Sequence, residues 1–598
     1  MKKILLLASL IACTNLAQAQ DTFIERHDHK DPIAEEWAGI KGIHAAWGTS
    51  DIRYAWHSLP DTKSLSRTET LNAWRGERVS TQAIIYSSVA TDSLAPLTLH
   101  LSTFKNGRHM LPSEAVKASF VRYVMTDAWS TPDGRGAGCG YRPDHTIYDS
   151  VMVADIIDPH VMSLPMEAMS TRSVWVSCQT PADAVAGTYS GVLSIKAGKR
   201  TVAKLPLSIK VNERTLPQPA DWKFHLDLWQ NPFAEARYYN TPLWSDAHLA
   251  AMRPSMEMLA AAGQKVITAS IMHKPWNGQT EDHFDSMVAW VKRIDGTWDF
   301  SFAVFDRWVE FMMSCGIDNQ INCYTMIPWA LTFPYYDEAT NRMQAVRTAP
   351  GDAAYEEMWV AMLKAFSEHL RAKGWFSITA IAMDERPMKS MLLAMEVIRK
   401  ADPEFKVALA GNYHPEIEAG LHDYCIALEQ GELMPKEVLE RRQAEGKVTT
   451  VYTCCSTHKP NTFTFSTPCE ASWYGYYAAH SNYDGYLRWA YNSWTRHPLH
   501  ETRFRQWPAG DTYIIYPYGR SSVRFEKLIE GIQAYEKIRA LQAEFTEAND
   551  AERLAELNAL REMFNLNSQY TDDFPGIISQ GRSILDKLCQ MTDEPKLR

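Results

Sequence analysis

The chain has 598 residues, more than one ordinary domain holds, with 45% hydrophobic and 22% charged residues, the balance of a globular protein with a large core. Its net charge of −10 is spread out, with no long basic run, which argues against nucleic acid as a main partner, because phosphate binding needs clustered Lys and Arg. The 20 Trp and 26 Tyr are a generous aromatic supply, suited to stacking on sugar rings wherever they reach a cleft.

The first element is a targeting segment, residues 1–19. Lys2-Lys3 gives a charged start, Ile4 to Cys13 an apolar stretch too short to span a bilayer, and Ala17-Gln18-Ala19 a small-residue cleavage site. The mature chain then begins near Gln20, exported to the periplasm or beyond. A lipoprotein signal anchored through Cys13, in Leu10-Ile11-Ala12-Cys13, is the competing reading. No later apolar run is long enough for a membrane span. Export permits disulfides; ten cysteines are present, and Cys454-Cys455 are adjacent and poorly placed to pair with each other. No C-x-x-C or paired Cys/His spacing points to zinc, and no other cofactor motif occurs, so neither metal nor cofactor is expected. The run "RHDHKD" reads as a solvated tail.

Residues 20–215 read as a β-sandwich. "STQAIIYSS", "LTLHLSTF", "ASFVRYVM", "SVWVSCQTP", "TYSGVLSIKAG" and "KLPLSIKVN" are short, β-branched or alternating, and separated by turn residues. The glycine-rich "DGRGAGCG", Asp133 to Gly140, lacks phosphate-loop spacing and reads as a loop of this domain, with the barrel within its reach. "LPQPAD", Leu216 to Asp221, is a proline-marked linker.

Residues 216–545 then change rhythm. Strands "KFHLDLWQNP", "KVITASIMH", "DNQINCYTMIPW", "WFSITAIAMDERPM", "FKVALAGNYH", "LHDYCIALEQ", "KVTTVYTCCS" and "GYLRWAYNSW" are interleaved with amphipathic helices such as "YEEMWVAMLKAFSEHLRAKG". About eight alternations of strand and helix predict an α/β fold, a (β/α)8 TIM-like barrel, with a helical tail at 546–598.

Barrel active sites form at the C-terminal ends of the strands. The fourth strand ends in Asp384-Glu385, with Arg386 as a possible counter-ion and Pro387 barring continuation of the ladder. Other strand ends supply Trp229, Trp329, Asn412, Tyr452 and Trp494, and Trp473 lies in the seventh unit. Each tryptophan either stacks on a sugar or fills the core. Asn412 either binds hydroxyls or caps a turn, and Tyr452 either meets an acetamide or is structural.

Glycoside hydrolysis needs a proton donor for the leaving oxygen and a second group for the oxocarbenium-like centre. Neighbours along a strand point to opposite faces, so adjacent carboxylates are poorly placed to flank one bond. They suit a different division: Glu385 protonates the leaving oxygen, while Asp384 holds the nitrogen of a 2-acetamido group whose own oxygen attacks the anomeric carbon. Mutual repulsion of the pair is expected to keep one of the two acids protonated near neutral pH.

This pattern resembles glycoside hydrolase family 123, the exo-acting β-N-acetylgalactosaminidases. The resemblance runs through "SVWVSCQTPADAVAGTYSG", "LDLWQNP", "WDFSFAVFDRWV", "AIAMDERP", "GYLRWAYNSW" and "DTYIIYPYG" to "SSVRFEKLIEGIQAYE". It implies retaining, substrate-assisted release of terminal β-linked N-acetylgalactosamine. It implies that Glu385 is the general acid/base and that Asp384 orients the acetamido group and stabilises the oxazolinium-like intermediate. A gluco-specific or other barrel glycosidase and a non-catalytic glycan-binding protein are the alternatives.

Overall fold

The computed structural model describes residues 23–590 except 29, 93, 140, 141, 143–146, 506, 568–570 and 572. The targeting segment, including Cys13, lies outside the described residues.

Two antiparallel-rich sheets face each other in the N-terminal part. One runs in the order Ile43–Gly48, Arg78–Ser87, Ser170–Gln179, Val116–Thr126, Val151–Asp158, Ser521–Ser522. The other runs Glu69–Arg75, Arg200–Thr215, Gly187–Ala197, Leu97–Leu101, Ser163–Leu164, with a small hairpin on its side. The period-2 pattern read from the sequence supplies the filling between them: Ile85, Phe120, Val174 and Val176 from one face, and Leu193, Ile195, Leu207 and Ile209 from the other. The sixth strand of the first sheet comes from the far end of the barrel sequence, pairing Ser521 with Ile157. Buried ion pairs reinforce that seam: Arg524 to Asp155 and Arg520 to Asp158, each at 2.9 Å. In the run "RHDHKD", Arg26, His27, Lys30 and Asp31 are exposed and Asp28 is buried, while Glu25 just before it is sandwiched between Arg122 and Arg172, at 3.1 and 2.7 Å. His29 lies outside the described residues.

The barrel has eight parallel strands: β1 (His225–Leu228), β2 (Val266–Ser270), β3 (Gln320–Tyr324), β4 (Thr379–Met383), β5 (Lys406–Gly411), β6 (Asp423–Ala427), β7 (Val448–Tyr452) and β8 (Gly485–Arg488). Each pairs with its neighbour in sequence from β2 to β8, β8 pairs with β1, and a bridge between Leu226 and Gln264 nearly closes the ring. β2, β3 and β4 are buried along their whole length, as strands covered on both faces are, and the polar Gln320 and Asn322 of β3 are buried with the rest. The helix Ala353–Lys373 buries Tyr355, Met358, Trp359, Met362, Leu363, Phe366 and Leu370, a stripe at three- and four-residue spacing.

Three features depart from a plain alternation. Between β5 and β6 stands only a 3-10 turn, Glu418–Gly420, in place of a helix. A four-stranded sheet (Ala289–Lys292, Trp298–Ser301, Thr332–Asp337, Arg342–Arg347) is inserted around β3. The helices Glu470–Ser481 and Val523–Glu547 cross at Gly475 and Gly531, where a Cβ on Gly475 would lie 1.8 Å from the Gly531 carbonyl oxygen. That close crossing buries the aromatic side chains of the first helix. The tail forms two further helices, Ala551–Glu562 and Phe574–Gln590, packed on this pair. Among the described residues no helix is long and apolar enough to cross a membrane.

Candidate active site

β4 delivers its two acids into opposite environments. Asp384, the first residue beyond the strand, turns inward and is 7% exposed, whereas Glu385 is exposed at the mouth. The alternation of successive side chains puts them apart. Arg386 folds back rather than outward: its Nη2 lies 2.8 Å from Asp384 Oδ1, and its Nε donates to the Ile327 carbonyl at 2.8 Å. Pro387 then caps the helix Met388–Ala401, so the four residues Asp-Glu-Arg-Pro make the whole turn from strand to helix.

Trp329, on the loop after β3, completes the bracket. Its indole Nε1 donates to Asp384 Oδ2 at 3.2 Å, and the Arg386 guanidinium sits 4.7 Å above its ring. Trp329 nevertheless remains 50% exposed, with an aromatic face available at the mouth. Burial raises the Asp384 carboxyl from 3.8 to about 6, opposed by the Arg386 charge and the Trp329 hydrogen bond. Glu385 is the weakest of these influences. The expected mutual repulsion is therefore a minor cause, and desolvation is the major one.

Glu385 is held from the other side of the barrel. Tyr452, the last residue of β7, donates its hydroxyl to Glu385 Oε1. A cavity of about 250 Å3 opens beside Glu385, lined by Pro387, Met391, Gly411, Asn412 and His414 among others. Asn412 is exposed there, and its carbonyl accepts a hydrogen bond from Tyr424 at 2.7 Å.

The aromatic candidates separate. Trp229 is at the β1 end but 4% exposed, stacked on Trp276 at 4.8 Å and tilted against Tyr324 at 4.4 Å. It floors the mouth from beneath and presents no open face. Trp473 is fully buried on the Glu470–Ser481 helix, stacked on Tyr477 at 4.6 Å, so its place is the helix crossing and not a sugar site. Trp494 is fully buried too, its Nε1 donating to the Ile515 carbonyl at 2.9 Å, six residues beyond the end of β8.

Two residues at the mouth escaped sequence reasoning. Trp489 directly follows β8, is half-buried, and donates Nε1 to Asp511 Oδ2 at 3.2 Å. Its signal was present, since β8 ends at Arg488 and the first aromatic beyond it marks the rim. Cys454 sits two residues past Tyr452, its thiol pushed up to about 11 by burial, with Asp511 and Glu385 adding their negative charge. Cys455 beside it is disulfide-bonded to Cys139. Among the described residues no group of three or more His, Cys, Asp or Glu side chains is placed to hold a metal.

The arrangement is therefore a buried, partly neutralised acid beside an exposed one, under an aromatic rim, on the C-terminal face of a barrel. Residues 229–541 match the model of the glycoside hydrolase 123 catalytic domain, and residues 47–197 that of the glycoside hydrolase 123 N-terminal domain. Among solved structures, a family 123 glycoside hydrolase from Clostridium perfringens, described for glycolipid glycan hydrolysis, is 25% identical with a TM-score of 0.79. That alignment covers 92% of this chain and 99% of the other. A family 39 glycoside hydrolase from Bacteroides cellulosilyticus aligns over 77% of this chain and 81% of its own at 10% identity, with a TM-score of only 0.32. No curated protein matches the chain. With its barrel and its sandwich both matched, this chain belongs to glycoside hydrolase family 123.

Proposed function

We propose that this hydrolase is an exo-acting, retaining β-N-acetylgalactosaminidase that works by substrate-assisted catalysis. The observation that carries the reading is the division between the two neighbours: Asp384 buried under Arg386 and Trp329, and Glu385 exposed and touched by Tyr452. In the first step Glu385 gives its proton to the glycosidic oxygen as the bond to the anomeric carbon breaks. The acetamido carbonyl oxygen of the substrate attacks that carbon from the opposite face, and an oxazolinium ring forms. Asp384, as carboxylate, accepts the acetamido N–H and balances the positive charge. In the second step Glu385 takes a proton from water, which opens the ring with net retention.

Asp384 reaches the ionised state above about pH 6, so it serves as an acceptor at neutral pH. Exo action and the galacto configuration rest on the family resemblance. The Clostridium perfringens relative is described as acting on glycolipid glycans, which makes the non-reducing end of a glycolipid or another glycoconjugate the natural substrate class here. Export belongs to the same proposal, supported by the charged and apolar first nineteen residues and by the Cys139–Cys455 disulfide, a bond of oxidising compartments.

A panel of chromogenic β-glycosides tests the reading. Turnover is expected on the N-acetylgalactosaminide and not on the galactoside that lacks the acetamide. Absence of turnover on both 2-acetamido sugars, galacto and gluco, would sink it.

A further inference from the structure

The sandwich domain reaches the catalytic face. Between its strands Val116–Thr126 and Val151–Asp158 the chain leaves the sheet and runs onto the barrel. Arg142, 3% exposed, gathers the two limbs of this excursion. It donates to the Asp127 carboxylate at 2.9 Å and to the carbonyls of Ala128, Trp129 and Gly138 at 3.0, 2.8 and 3.3 Å. Asp127 in turn accepts the Ala509 amide at 3.0 Å, which pins the near limb to the segment following β8.

The far limb is fixed to the loop following β7. Cys139 is disulfide-bonded to Cys455, and the Trp129 ring stacks on His458 at 4.5 Å with 12° between planes. Gly138, at φ +68°, fits where no side chain would: a Cβ there would lie 2.9 Å from both the Cys455 carbonyl oxygen and the Trp129 ring. A covalent bond, a ring stack and a buried arginine thus set one sandwich loop on one barrel loop.

That barrel loop starts at the acid. Tyr452 touches Glu385, and Cys455, which carries the disulfide, follows three residues on. The opposite side of the acid pair is occupied by Asp384 beneath Arg386 and Trp329, the side assigned above to the acetamide. The group beyond the glycosidic oxygen must depart past Glu385, and the loop that follows β7 begins where Tyr452 meets that acid. On that loop His458 is exposed and Trp129, stacked on it, is half-buried, so the aromatic pair reaches solvent. Aromatic rings accept the C–H face of a pyranose.

We propose that Trp129 and His458 form the leaving-group subsite, binding the neutral hexose next to the terminal sugar, so that the sandwich domain takes part in choosing the glycan. This rests on the glycosidase reading above. Its test compares kcat/KM on two substrates: an aryl N-acetyl-β-galactosaminide, whose leaving group is small, and a disaccharide in which the same sugar is β-linked to galactose. Trp129→Ala and His458→Ala, made separately, are expected to lose about tenfold more on the disaccharide than on the aryl glycoside, the size of one aromatic contact. Trp129→Phe retains a ring and is expected to recover most of that loss. Equal losses on both substrates, or none on the disaccharide, overturn the subsite while the glycosidase reading stands. A wild-type enzyme that cleaves neither compound overturns both.

Discussion

The hydroxyl of Tyr452, at the end of β7, donates to the carboxylate of Glu385, at the end of β4, across the mouth of the barrel. The tyrosine ring is 7% exposed and well packed, so the contact fixes the acid to a rigid strand. Tyr452→Phe removes the hydroxyl and leaves the ring. Glu385 becomes charged as it gives up its proton, and a hydrogen bond to a charged group is worth about 1.5–3 kcal/mol, so kcat is expected to fall roughly 10- to 100-fold with KM little changed. Steady-state kinetics on an aryl glycoside check this; an unchanged kcat would make the tyrosine structural.

Removal of the acid itself divides substrates by leaving group. Glu385→Gln cannot supply a proton, and general acid catalysis is worth about 10²- to 10⁴-fold. Hydrolysis of an alkyl or sugar glycoside is expected to disappear, while an activated dinitrophenyl glycoside keeps measurable cleavage of its first bond. Equal loss on both would remove Glu385 from the acid role.

Arg386 opposes the burial of Asp384, which leaves the carboxyl at about 6. Protonated Asp384 cannot accept the acetamido N–H, so kcat/KM is expected to fall as pH drops through about 6. Arg386→Met removes the positive charge at 2.8 Å, and the acid limb of the pH profile is expected to move upward by about one unit or more. A limb that stays in place would show that another group governs it.

The same shift has a cost in stability. The folded-state pKa of Asp384 lies above its ordinary value of 3.8, so the folded chain binds this proton more tightly than the unfolded one. Its contribution is present at low pH and is lost as pH rises from about 4 to about 6, on the order of 3 kcal/mol. Asp384→Asn cannot titrate. Its melting temperature relative to wild type is expected to climb between pH 4.5 and pH 7.5, while its activity is severely impaired. A pH-independent difference would contradict the burial argument.

Much of this was legible in the sequence. The barrel strands are short runs, mostly apolar or β-branched, between turn residues, and the acid pair announces itself because it falls between the apolar β4 and Pro387. Side-chain contacts were not legible. Trp473 and Trp494 share the composition of rim residues, yet a glycine-mediated helix crossing buries one and a turn beyond β8 buries the other. The inserted sheet was hidden because its short strands, such as Arg342–Arg347, are largely exposed and carry no buried alternation. The Cys139–Cys455 pair spans 316 residues, a distance over which sequence fixes no partner.

The rim assignment gives a paired test. Trp489→Ala is expected to reduce kcat/KM about tenfold or more with a small change in melting temperature, because the ring is half-buried at the mouth. Trp473→Ala is expected to cost about 3–5 kcal/mol of stability and to leave KM of the folded enzyme unchanged. The reverse pattern would exchange their roles.

The central claim is that the substrate brings its own nucleophile. Inhibition by the thiazoline analogue of the cyclic intermediate, formed from N-acetylgalactosamine, tests it most directly. The predicted result is competitive inhibition at least about a hundredfold tighter than binding of the free sugar, as befits a mimic of the reacting state. No inhibition by the thiazoline, with a 2-fluoro glycoside instead leaving a covalent adduct visible by mass spectrometry of the intact protein, would contradict it.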